Sequence, residues 1–430
     1  MKTIYNRRFD DTVYQIKLRN GMQVHILPKD KPFLSTFVTL SVPFGGLALQ
    51  FIVDEKIETI PAGSAHFFEH KIFAMPNGED AFSLFSSLGL DANAMTSYTE
   101  TAYLFKTTNG LLPGLKLLLE MIDNPHFTNE NIAVEKQIIA EELDMYLDDI
   151  DTVMTNNLYE NMYHNHPIKH DIGGTKKSIQ EIDKETLNRI YETFYQFNQR
   201  ILVIAGNVDI KELRDFFHTY DQNNNVKAAK FKIFYPKEPK SVVKKHEVKQ
   251  MPVFSPKLML GFKLTSPKKT TEAIKEHIAA QILLNLLFGK SSSTYQQLLE
   301  EKLINSQFHC GANQEHNAFF IAFYAETKYP SKLKKAIANI IFNFEEYISQ
   351  SAFERNKRSF IGQFIYLLNN VDRKAMLYAS YLHKRIPLYD VLDIQQSITY
   401  EYVIEFARKI KKQNMASLIY IKPKLSKVEK

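Results

Sequence analysis

The sequence predicts an α+β protein made of two duplicated domains, each an antiparallel sheet flanked by helices. Three observations point there. Segments with period-2 alternation, rich in Val, Ile, Thr, Tyr and Phe, are interspersed with segments whose apolar residues recur at helical spacing. The order strand, helix, helix, strand over residues 37–107 returns over residues 258–327, an internal duplication of about 200 residues. At 430 residues the chain also exceeds what one hydrophobic core usually fills, and roughly 100–200 residues per domain favours two.

Composition narrows the function classes. Hydrophobic residues make up 44% and charged residues 24%, the balance of a globular protein and not of a disordered or fibrous one. The net charge of +6 is mild for 430 residues. Its densest basic stretch, residues 227–249, is interrupted by acidic residues and two prolines, which makes it a solvated linker and leaves no nucleic-acid partner expected. The single Cys310 has no internal disulfide partner and is expected to be a small buried hydrophobe. MKTIYNRR at the start is not followed by the apolar run of about 7–15 residues that a secretory signal needs. Nor does any apolar stretch reach the roughly 18 residues of a membrane span, so a cytoplasmic protein without membrane insertion is expected.

Taken in order, residues 12–29 carry Asn20-Gly21 between two alternating runs, so the chain is expected to open with a β-hairpin. Residues 35–43 (STFVTLSVP) alternate like a half-buried strand, and Gly45-Gly46 marks a turn into a loop. A short helix follows: Ser64 can cap it, residues 65–73 fill about two turns, and Pro76-Asn77-Gly78 ends it. Then come a helix over 81–88, strand material over 91–107, and helical patterns over 111–121 and 129–146. The apolar run 201–205 (ILVIA) predicts a buried strand ending at Gly206-Asn207. Past the linker, 258–264 predicts a strand, 271–288 and 295–303 helices, and 308–327 strands. The implied domains are 1–220, a linker region over 221–250, and 251–430.

The short helix holds His66-Phe67-Phe68-Glu69-His70. Residues four apart lie one turn above each other, so His66 and His70 share a face with Cβ atoms about 6 Å apart, a spacing that two ligands of one metal can use. Glu69 lies at the edge of that face, where its carboxylate can serve a water at the metal without binding the ion itself. Phe67 and Phe68 point away, towards a core. A catalytic zinc takes a third protein ligand from elsewhere. The pattern over 129–146 carries Glu135, Glu141 and Glu142. A step of seven residues returns to within about 20° of the starting direction, so Glu135 and Glu142 share a face and Glu141 does not. One of that pair is expected on the metal and the other in support of a ligand. A lone His-x-x-x-His pair is as easily a solvated surface group, but His-x-x-Glu-His is the reversed form of the commoner zinc peptidase motif, and the downstream Glu-x6-Glu meets an independent requirement.

Together these residues resemble the M16 family of metallopeptidases, whose members include pitrilysin and the mitochondrial processing peptidase. The likeness runs over nearly the whole chain: GSAHFFEH, the Glu135 to Glu142 helix, residues 93–101 (NAMTSYTET), His166-Pro167, Gly173-Gly174-Thr175, and residues 191–209 ending in AGNVD. The resemblance implies that Glu142 is the third ligand and Glu135 the supporting residue, with one Zn2+ per chain. It implies that Asn93, Ala94, Met95, Thr96 and Ser97 form a sheet-edge strand along which an extended peptide lies. It also implies two similar α+β domains per half of a two-half chamber, with this chain as one half. In the second copy Ile361 stands where Glu142 stands in the first, which implies a structural role for that copy.

The implied activity is zinc-dependent hydrolysis of peptides or unfolded polypeptide segments, with Glu69 as the base. In the family the other half supplies an Arg and a Tyr separated by six residues; the matching positions here are Leu299 and Ser306. A paralogous chain that keeps the pair is therefore the expected partner, in a heterodimer. The alternative is a non-catalytic structural or scaffold subunit of such an assembly, whose usual mark is a broken metal motif.

Overall fold

The computed structural model describes residues 1–30, 32–221, 230–413 and 416–423. The chain forms two compact units, one of Met1–Asp144, Asp171–Tyr235 and Tyr366–Leu388, the other of Met145–His170, Pro236–Ile365 and Tyr389–Lys430.

The first unit is built on a seven-stranded sheet, ordered Lys2–Asn6, Asp11–Lys17, Gln23–Pro28, Ile201–Gly206, Thr36–Val42, Thr101–Thr107 and Asp91–Thr96. The hairpin around Asn20-Gly21 is present, with Tyr14 opposite Ile26 and Lys17 opposite Gln23, but a further strand, Lys2–Asn6, precedes it and pairs with its first arm. Every residue of Thr36–Val42 is buried, including Thr39 and Ser41 on the face that sequence alternation assigns to solvent. The reason is a cover on that face. Helix Val371–His383 lies there, with His383 Nε2 2.9 Å from Ser41 Oγ, Tyr378 Oη 3.2 Å from His25 Nδ1, and Lys374 paired with Asp11. The opposite face carries the main apolar core, among it Val38, Leu40, Phe67, Phe68, Phe105, Ile139 and Phe194.

The second unit repeats this topology in five strands, ordered His246–Met251, Ala416–Pro423, Lys257–Thr265, Ala318–Glu326 and His309–Glu315. In each sheet one pairing is parallel, Gln23–Pro28 with Ile201–Gly206 and His246–Met251 with Ala416–Pro423, and the remainder are antiparallel. A parallel pair needs a long crossover, and in both copies several helices separate the two parallel strands in sequence. Helix Ile150–Met162 covers this sheet; a Cβ on Gly261 would come within 2.7 Å of Met162 Sδ and 3.0 Å of Leu158 Cδ1, so the missing side chain lets the helix settle closely.

The units are thus discontinuous in sequence, whereas the sequence division into 1–220, 221–250 and 251–430 is sequential. Within the 221–250 region, Phe231–Ile233 is a strand of the first unit, antiparallel to Gln50–Val53 in a small sheet with Lys56–Thr59. Residues 222–229 of that region, and with them the start of the basic stretch 227–249, lie outside the described residues. Among the described residues no helix is long and apolar enough to cross a membrane.

Candidate metal centre

Helix Ser64–Lys71 is anchored from beneath. Phe67 and Phe68 are fully buried, and the Phe68 ring lies 4.3 Å from that of Tyr195 and 5.4 Å from that of Phe127. His66, Glu69 and His70 are left half-buried on the opposite side. Gly63, at φ 93°, takes the N-cap position, and Ser64 instead donates its hydroxyl to Pro61 O at 2.7 Å. The left-handed backbone at Gly63 has a reason in packing. A Cβ there would stand 2.6 Å from Gly173 O, and one on Gly174 would stand 2.4 Å from Ala62 O, so two backbone turns meet where no side chain fits. This contact sets Gly173 over the site, where a Cβ would lie 3.1 Å from Leu143 Cδ2 and 3.8 Å from His66 Nδ1.

Helix Asn129–Asp148 faces it, with Ile132, Ile139 and Leu143 in the core. Glu135 is buried, Glu142 half-buried and Glu141 exposed, as their angular positions on the helix require. Glu142 stands between the two imidazoles: Oε1 is 3.7 Å from His66 Nε2 and Oε2 is 3.7 Å from His70 Nε2. Glu135 reaches past it, with Oε1 3.0 Å from His70 Nδ1 and Oε2 3.1 Å from Lys71 Nζ.

This arrangement fits a bound zinc ion. The donor atoms of His66, His70 and Glu142 all lie within 4.8 Å of one another. Separations of 3.7 Å are too long for hydrogen bonds yet near the edge of about 3.3 Å expected between ligands placed tetrahedrally at zinc–nitrogen distances. Glu135 favours in His70 the tautomer that a ligand needs: an ionised carboxylate at 3.0 Å can only accept from Nδ1–H, which directs Nε2 to the ion. Among the described residues His66 Nδ1 is buried without a hydrogen-bond partner, and Nε2 lies 3.7 Å from Glu142 Oε1, beyond hydrogen-bond distance. Burial and the neighbouring His70 hold the His66 pKa below its ordinary value against the pull of Glu142, Glu69 and Asp171. For His70 burial acts in the same direction, but the Glu135 hydrogen bond and the surrounding carboxylates outweigh it and its pKa is raised. Burial pushes the Glu135 carboxyl up, and its bonds to His70 and Lys71 more than offset this, so it stays ionised beside the two rings.

Glu69 does not join the three donors. Its Oε2 accepts the Thr96 hydroxyl at 2.5 Å, and Thr96 in turn lies 3.5 Å from Thr101 Oγ1, which is fixed to Phe44 O. Thr96 ends the edge strand Asp91–Thr96, whose other residues alternate between exposed and half-buried and whose outer side has no strand beside it among the described residues. Asn93, Ala94, Met95 and Thr96 are on that strand. Ser97 is not: its hydroxyl accepts from the backbone N–H of Glu100 and donates to Glu100 O, closing the turn that follows. Sequence reasoning missed Lys71 and its contact with Glu135, and it placed Thr96 on the substrate strand without its contact to Glu69, because each contact joins segments tens of residues apart.

Comparison with known proteins bears on the family of the chain. Residues 58–176 match the model of the insulinase family, peptidase family M16, and residues 181–360 match the model described as the peptidase M16 inactive domain. The chain is 34% identical over 412 residues to the uncharacterized zinc protease YmfH of Bacillus subtilis, covering 94% of this chain and 95% of that protein. It superimposes on an M16-like peptidase from Alicyclobacillus acidocaldarius with a TM-score of 0.90 at 27% identity, over 96% of this chain and 99% of the other. The fold alone is shared with the periplasmic protease PqqL from Escherichia coli, at 17% identity and a TM-score of 0.73, where 95% of this chain covers 47% of that one. With the sheet topology repeated in two units and both family models matched in order along one sequence, the chain belongs to the M16 peptidase family.

Proposed function

We propose that this chain is a zinc-dependent endopeptidase acting on peptides or unfolded polypeptide segments, with His66, His70 and Glu142 as metal ligands and Glu69 as general base. The observation that carries the reading is the convergence of three donor atoms within 4.8 Å, beside a carboxylate that is tethered by a hydroxyl and not by the donors. Zinc, when bound, supplies Lewis acidity that makes a water more acidic and the scissile carbonyl more electrophilic. Glu69, with Oε2 tethered by Thr96, keeps Oε1 to take the proton of the attacking water and return it to the leaving nitrogen. Glu135 holds His70 in the ligating tautomer. Substrate adds its backbone to the open edge of Asp91–Thr96, a mode that recognises extended shape more than sequence.

The chain acts as the metal-bearing subunit of a heterodimer. Leu299 and Ser306 replace the Arg and Tyr that would hold the substrate carbonyl, and a paralogous chain supplies them. Glu69→Gln should keep about one zinc per chain and abolish hydrolysis, whereas His70→Ala and Glu142→Ala should lose both metal and activity. Mixing with the paralogue should raise the activity of the wild-type chain by about 10²–10³, the usual worth of such donors. Loss of zinc from Glu69→Gln would mean that the roles are wrongly assigned, and full activity of the isolated chain would remove the need for a partner.

A further inference from the structure

Lys71 closes helix Ser64–Lys71 directly after the His-x-x-Glu-His sequence, and it is 6% exposed. A buried ammonium is costly unless it is paired, and its neighbours in the chain, Ile72 and Phe73, are core residues beside which an apolar side chain would pack with less penalty. Its partner is Glu135, at 3.1 Å through Oε2. The same carboxylate gives its other oxygen, Oε1, to His70 Nδ1 at 3.0 Å. Glu135 is therefore bridged between two consecutive residues of one helix, and both of its oxygens are fixed.

The bridge has a directional consequence. Were Oε2 untied, the Glu135 side chain, 11% exposed, would have one hydrogen bond left and a path to water by rotation about its own bonds. A carboxylate that leaves His70 Nδ1 leaves that ring free to turn and to exchange tautomers, and the lone pair on Nε2 is then no longer fixed towards Glu142. Helix polarity adds to the placement, since a cation in the last turn is favoured by the carbonyl end of the helix.

From this geometry we infer that Lys71 is a positioning residue of the metal centre: it clamps Glu135 in the orientation that fixes His70 for zinc. The inference rests on the reading of His66, His70 and Glu142 as a zinc site and adds a residue that touches neither metal nor substrate.

The test is a double-mutant cycle read as zinc affinity, by competition with a chromophoric chelator, on the full-length wild type, Lys71→Met, Glu135→Gln and the double variant. Loss of an outer partner of a ligating histidine typically weakens metal binding 10- to 100-fold. Lys71→Met should fall in that range, Glu135→Gln should fall at least as far, and adding Lys71→Met to Glu135→Gln should change affinity by less than about twofold, because the clamp has nothing left to hold. Should Lys71→Met alone not fold, the double variant leaves no unpaired buried charge and still carries the comparison with Glu135→Gln. A lysine with a purely structural role gives a different result: Lys71→Met lowers the melting temperature of metal-free and zinc-loaded protein alike and leaves zinc affinity where it was. That outcome, or multiplicative losses in the double variant, overturns the inference alone. A wild-type chain that binds no zinc overturns the metal-centre reading and this inference with it.

Discussion

At the residue scale the centre depends on helix register. Glu135 and Glu142 are seven apart and turn to the same side, where one reaches His70 Nδ1 and the other lies between the two imidazoles, while Glu141 is exposed. Glu141→Gln should therefore leave zinc content near that of the wild type, and Glu142→Gln should reduce it sharply; equal losses in atomic absorption of the two purified variants would refute the register. A helix of 3.6 residues per turn fixes these directions by itself, which is why His66, His70, Glu135 and Glu142 are legible in the sequence. Their division into ligand and support is not, because spacing alone leaves either carboxylate in either role. The tethers from Lys71 to Glu135 and from Thr96 to Glu69 are illegible for another reason. A lysine after a motif helix and a threonine at a strand end are ordinary surface residues until the fold brings Glu135 and Glu69 to them.

At the element scale, periodicity identifies the strands and helices but not what covers them. Residues 35–43 alternate like a strand with one wet face, yet Thr36–Val42 is buried throughout because helix Val371–His383, more than 300 residues later, packs on it. Covering a polar face leaves ionisable groups inside. Burial pushes His25, which meets Tyr378 of that helix, down to about 4. His166, buried in the second unit, is lowered to about 4 chiefly by the same cause, with His316 and Lys263 adding to it and Glu238 opposing. Between about pH 4 and 6.5 the unfolded chain binds more protons at both sites than the folded one does. Their contribution to stability is thus complete above pH 6.5 and is lost as pH falls towards 4, by roughly 3 kcal/mol for each histidine. Urea titrations at pH 7, 5.5 and 4 should show this fall. In His25→Asn the first unit should respond less over the same window, and an unchanged pH response would contradict the assignment to His25.

At the scale of the whole molecule the two units trade helices. Ile150–Met162 belongs to the second unit although it precedes the last strand of the first, and Tyr366–Leu388 belongs to the first although it lies deep in the second half of the sequence. The duplication is legible as a repeated order of elements, and the repeated sheet topology agrees with it. The exchange is not legible, since an amphipathic helix carries no label for the sheet it covers. A fragment ending at residue 250 keeps the full metal motif but lacks the cover on Asp11, His25 and Ser41. It should fail to show a cooperative urea transition by near-ultraviolet circular dichroism, and a sharp transition in that fragment would mean that the late helix is dispensable.

The claim on which the rest depends is that zinc is held by one helix's two histidines and one carboxylate from the facing helix. Anomalous diffraction recorded on both sides of the zinc absorption edge, from crystals of the wild-type chain grown with zinc, tests it most directly. One strong peak is expected about 2.0–2.2 Å from a ring nitrogen of His66, a ring nitrogen of His70 and a carboxylate oxygen of Glu142, with Glu135 and Glu69 outside bonding distance. A peak bonded to Glu135 or Glu69 in place of Glu142, or no peak between the two helices, would contradict it.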